Sequence, residues 1–106
     1  TGKLPICIYP RMDFMLLAMD QLVNHLDKLP LYGWKPKVII RCRVGQKTKD
    51  GVLMDAGPQH TQNYTHAFQT MLHNVRVTEV RTPNEVEDAY VRAYDFPGSS
   101  LIVENG

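Results

Sequence analysis

The run Lys37-Val38-Ile39-Ile40-Arg41-Cys42 constrains this chain most. Its apolar residues follow one another instead of alternating, which predicts a strand buried on both faces. Such a strand needs strand neighbours and a covering layer on each side. A parallel sheet provides both, because its crossover helices lie over the faces.

The remaining segments fit that demand. Leu4-Pro5-Ile6-Cys7-Ile8-Tyr9 is short, apolar and rich in β-formers, and Pro10 ends it. Met12, Met15, Leu16, Met19, Leu22, Val23 and Leu26 then recur at helical spacing, with Asp13 as a cap and Pro30 as a stop. The three methionines are expected in the core. Arg43 to Ala56 is polar and reads as a long loop. Tyr64, Ala67, Phe68, Met71 and Leu72 mark a second amphipathic helix. Val75 to Val80 alternates as a strand does. Thr82-Pro83-Asn84-Glu85 is a capping box with Pro at the first helical position. Val86, Ala89, Tyr90 and Ala93 form the inner stripe of that third helix. Asp95 to Gly98 terminates it, and Ser100 to Glu104 is a last strand. The order β-α-β-loop-α-β-α-β predicts an α/β fold, a mostly parallel sheet with helices on both faces. One partial domain spans residues 1–106.

Composition narrows the function classes. A net charge of +1 gives no global field toward nucleic acid or membrane. The apolar run after Pro10 carries Asp13 and Asp20 and is too short to cross a bilayer. Cys7 and Cys42 lie in strand-like runs without metal-ligand spacing. They are expected as two buried, reduced thiols in an intracellular, cytoplasmic protein. The chain opens on Thr1-Gly2-Lys3, which suggests a fragment or a processed product.

Gly57-Pro58-Gln59-His60-Thr61-Gln62 delivers a histidine to the start of the second helix. Two interpretations of His60 stand side by side. It is a polar residue decorating a helix start, or it is a proton or hydrogen-bond donor facing a reacting carbonyl. His66 and His73 are seven positions apart with no third ligand and read as surface residues, and His25 ends a turn of the first helix. Arg41, Arg43, Lys47 and Lys49 form either a solvated loop or a basic rim for an anion or nucleic acid. No Gly-rich phosphate loop and no nucleophile elbow is present.

Several motifs in fixed order carry a resemblance. They are Pro5 to Phe14, then Ala18-Met19-Asp20-Gln21-Leu22-Val23-Asn24, Val38 to Arg41, Gly57 to Gln62, Thr82-Pro83, and Leu101 to Asn105. Together they resemble the C-terminal half of the pyrimidine-binding domain of thiamine-diphosphate enzymes. Within that transketolase-like superfamily they are most similar to beta subunits of the decarboxylating component of 2-oxo acid dehydrogenase complexes, of the pyruvate and branched-chain types. The resemblance implies that Phe14 packs near the cofactor's aminopyrimidine ring and that Tyr9 lies close by. It implies that His60 stands in the active-site channel, assisting proton transfer or stabilising the 2-oxo acid adduct or the incoming lipoyl group. It also implies magnesium and diphosphate binding by a partner alpha subunit, and an oligomer. No metal ligand is expected in this chain.

The departures are informative too. The family glutamate that activates the cofactor has no match in this chain, so the isolated chain is expected to be inactive. The glycine-rich loop after Arg41 is replaced by Gln46 to Gly51. Phe96 and Gly98 stand where some relatives hold potassium, so that ion is not expected. An uncovered strand edge and an apolar patch are expected where the other half of the domain would sit. The alternatives are a non-catalytic interaction module that keeps the fold, or a transketolase-type fragment.

Overall fold

In a computed structural model, residues 3–45 and 62–106 are described. Four strands, β1 (Ile6–Tyr9), β2 (Ile39–Val44), β3 (Val75–Val80) and β4 (Ser99–Asn105), form one sheet. Their order is β1-β2-β4-β3 and every pairing is parallel. The α/β architecture with helices on both faces is therefore the one the chain adopts. The non-alternating run around Ile39 and Ile40 becomes an inner strand with its residues divided between two cores.

Ile40, Cys42, Val75, Leu101 and Val103 face one layer, made of Met12, Met15 and Leu22 together with Phe68 and Leu72. The last two belong to helix α1 (Thr65–Met71) and its end. Met12 Sδ accepts the Tyr64 N–H at 3.0 Å, joining the two halves of this layer. Ile39, Val80 and Ile102 face the other layer, where helix α2 (Pro83–Asp95) places Ala89 and Ala93. The expected capping box is formed. Thr82 Oγ1 accepts the Glu85 N–H at 3.2 Å, and Pro83 opens the helix. At its other end Gly98 leaves room for the Phe96 ring, because a Cβ there would come within 2.9 Å of it.

The first helical segment departs from the expected α-helix. Met12–Ala18 is a tight 3-10 helix and Asp20–Leu26 is a wide π-helix. A 3-10 turn holds about three residues, so positions 12, 15 and 18 stack on one side. Met12 and Met15 are buried, while Leu16, inward on an α-helix, is 46% exposed and Leu17 91%. The wider turn then brings Leu22 back to the core, and the Asp27 N–H reaches the Leu22 carbonyl five residues back at 3.0 Å. Asp13 lies inside the first turn and does not cap it, since Arg11 holds the cap position.

β1 also departs from expectation. It is an edge strand, and Ile6 and Ile8 are 52% and 61% exposed. Their register partners Ile39 and Arg41 face the α2 layer, but α2 lies over β3 and β4 and stops short of β1. Cys7 points to the other face, where it borders the groove beside Met15 and Leu22, and is exposed there, not buried as expected, while Cys42 is buried and both thiols are free. Among the described residues β1 pairs with β2 alone, and Ile6 and Ile8 give it an exposed apolar patch. No described helix is long and apolar enough to cross a membrane.

Candidate functional site

In parallel α/β sheets, ligands meet the chain at the carboxyl ends of strands, where neighbouring connections leave toward opposite faces. Here β2 connects toward α1 on one face and β3 toward α2 on the other. Their ends, with that of β4 between them, carry two polar networks.

The first is built on Glu104 near the end of β4. Arg41 from β2 meets its carboxylate in a two-pronged ion pair, with Nη2 to Oε1 at 3.2 Å and Nε to Oε2 as the other prong. The Tyr90 hydroxyl donates to Oε2 at 3.2 Å from α2. Bidentate guanidinium–carboxylate pairing fixes orientation as well as charge. Burial first, then the Glu104 charge and hydrogen bond, push the Tyr90 phenol up to about 12. The hydrogen bond to Glu104 likewise strengthens the protonation of Arg41. Beneath them the Cys42 thiol is pushed up to about 12, chiefly by burial, so it is an inert core residue.

The second network is built on Glu79 of β3. Its Oε1 accepts from Asn63 Nδ2 at 2.7 Å and from Asn105 Nδ2 at 2.9 Å, and Arg81 Nη2 stands 3.7 Å away. Asn63 also accepts the Thr65 N–H at 2.9 Å, so one side chain starts α1 and ties it to the sheet end. Burial opposes the Glu79 charge, but the two amides and Arg81 outweigh it and hold the carboxyl below its ordinary value. Both networks thus fix charges in place at the strand ends.

The sequence candidates fall at different places. Tyr9 ends β1, half-buried, and lines an apolar groove of about 300 Å³ with Cys7, Gln21 and His25. Phe14 is 45% exposed and does not line that groove, so the structure does not bring it together there with Tyr9. Within the Asp-Gln-x-x-Asn motif, Asn24 Nδ2 donates to Asp20 Oδ1 at 2.8 Å on the outer surface. That bond clamps the wide turn, while Gln21 turns to the groove. His60, Lys47 and Lys49 lie outside the described residues. Arg41 is committed to Glu104, and Arg43 is exposed. His66 and His73 are exposed. Among the described residues, no three His, Cys, Asp or Glu side chains come together as metal ligands.

Sequence reasoning missed Glu79, Asn63, Asn105 and Tyr90. The available signal was positional: polar residues at the carboxyl ends of strands, or just before a helix. Comparison with protein-family models, curated proteins and solved structures found no match to this chain.

Proposed function

We propose that the chain forms the C-terminal half of a pyrimidine-binding domain in the beta subunit of a thiamine-diphosphate-dependent 2-oxo acid dehydrogenase. The observation that carries this reading is the all-parallel sheet, with Tyr9, Thr82 and Asn105 of the motifs at or just past the carboxyl ends of β1, β3 and β4, and β1 at its edge. The aromatic ring of Tyr9, at the end of β1, suits the face of a flat heterocycle. Phe14, a turn later in the chain, completes an aromatic cofactor pocket only if the segment after β1 moves on assembly. The cofactor, when bound, supplies the carbanion chemistry of 2-oxo acid decarboxylation.

The chain's own residues then divide the work. Arg41–Glu104–Tyr90 and Glu79–Asn63–Asn105 hold the strand ends rigid. His60, three positions before Asn63, is the group assigned to proton transfer in the channel, since an imidazole titrates near neutrality. The remaining half of the domain, or an alpha subunit bearing magnesium, covers Ile6, Ile8 and the groove beside Tyr9. The compartment assigned is the cytoplasm, or the mitochondrial matrix in a eukaryote.

A second reading is a non-catalytic interaction module. The separation of Phe14 from the Tyr9 groove favours it. In the protein purified with its natural partners, His60→Ala separates the two. Loss of lipoyl reductive acylation of at least tenfold, with thiamine-diphosphate affinity retained, is expected of the enzyme. Absence of any 2-oxo acid turnover in the wild type supports the module.

A further inference from the structure

On the α2 face, far along the sheet from β1, Ser100 is 2% exposed, and its hydroxyl has no hydrogen-bond partner among the described residues. Buried hydroxyls are nearly always paired, so one left open points to a missing partner. Ser100 lies at the floor of a cleft of about 270 Å³ between β3, β4 and α2. The cleft exists because Ala89 and Ala93 are too small to fill the space over Ser100 and Ile102.

The walls of that cleft carry charge in a definite arrangement. Arg76 is the register partner of Ser100, so both side chains rise on the same face from neighbouring strands. Its guanidinium lies over the Phe96 ring, 4.1 Å from the centroid. A guanidinium held over a ring face keeps N–H donors free for a further partner. On the opposite wall Arg92 Nε pairs with Asp88 at 2.9 Å, both side chains being largely exposed. Because α2 returns antiparallel to β3, Arg92 lies toward the Arg76 end of the cleft and Glu85 toward the Val80 end. Arg76 and Arg92 thus line the same cleft as the open hydroxyl, with Thr78 beside them.

We infer that this cleft binds a small carboxylate, such as the acid group of a short organic acid. The carboxylate takes paired N–H donors from Arg76, a second contact from Arg92, and the Ser100 hydroxyl as a donor from below. The acids Glu85 and Asp88, which also line the cleft, oppose a second negative charge, so a monoanion is favoured over a phosphate dianion. This site is independent of the function proposed above, since the groups assigned to the ligand, Arg76, Arg92 and Ser100, lie outside the motifs and the β1 edge.

The test is an amide NMR titration of the full chain at low ionic strength, with propionate in one arm and inorganic phosphate in the other. The expected result is saturable shifts at Arg76, Thr78, Ser100 and Ala93 with propionate, and binding at least threefold weaker with phosphate. Arg76→Gln, an exposed change that spares the core, is expected to weaken propionate binding about tenfold. Ser100→Ala is expected to weaken it roughly three- to tenfold, the effect of one hydrogen bond, while leaving the melting temperature equal or higher. Propionate shifts that do not saturate, or affinity unchanged in Arg76→Gln, would overturn the site. Phosphate binding as tight as propionate would overturn the carboxylate assignment. A Ser100→Ala protein that melts well below the wild type with unchanged affinity would show that the hydroxyl serves the fold instead.

Discussion

Asp27 is a fully buried carboxylate at the end of the first helical segment, and its replacement reports on how the two ends of the chain are tied. Its Oδ1 accepts the His73 N–H at 2.9 Å and the Asn74 N–H at 2.6 Å, where the chain turns from α1 into β3. Lys28 pairs with Oδ2 at 3.1 Å, but its side chain is 37% exposed, so that contact is screened and contributes little. Asp27→Ala leaves two part-buried N–H groups without their acceptor, at about 1–3 kcal/mol each. The expected loss is therefore about 2–6 kcal/mol, a large share of the roughly 5–15 kcal/mol that stabilises a domain of this size. Asp27→Asn keeps an acceptor oxygen and loses the charge, so about 1–2 kcal/mol is expected, or a melting temperature lower by roughly 5–15 °C. Burial opposes the Asp27 charge, but Asn74, Lys28 and His73 outweigh it and hold the carboxyl below its ordinary value. A folded value below the unfolded one makes this stabilisation complete above the unfolded value, near pH 4. It is lost as pH falls through the folded value. Urea unfolding of wild type and Asp27→Asn from pH 7 down to pH 3 should show a constant gap that closes at the acid end. A gap under about 0.5 kcal/mol, no larger than an ordinary surface substitution produces, would refute the tie, as would a gap that stays constant down to pH 3.

Three further outcomes are expected. Glu104→Gln should lower the Tyr90 titration from about 12, because the carboxylate charge that disfavours phenolate is removed while burial remains; tyrosinate absorbance against pH measures this. Thr82→Ala should cost about 0.5–2 kcal/mol in denaturant unfolding, the value of a helix cap. In the native protein, a thiol reagent should modify Cys7 at once and Cys42 only with unfolding, given the exposure of one and the burial of the other.

Local signals were readable in the chain, and long-range ones were not. The capping box at Thr82, the stripe of α2 and the strand β3 depend on residues a few positions apart, and each formed as expected. The geometry of the Met12–Leu26 segment depends instead on how two methionines and Leu22 reach a sheet whose position the local pattern does not contain. The exposure of Cys7 follows from β1 standing at the edge, a fact of strand order. Asp27 meets His73 and Asn74, and Glu79 meets Asn63 and Asn105, across sequence gaps that no motif marks. Ser100 reads as one polar residue in an apolar strand until the small side chains of α2 are placed above it.

The most decisive measurement for the proposed function is lipoyl reductive acylation by the protein assembled with its natural partners, wild type against His60→Ala, with thiamine-diphosphate affinity measured in parallel. The expected result is a thiamine-diphosphate-dependent reaction of a 2-oxo acid in the wild type, reduced at least tenfold in the variant at unchanged cofactor affinity. Equal acylation rates in the two proteins would contradict the role assigned to His60.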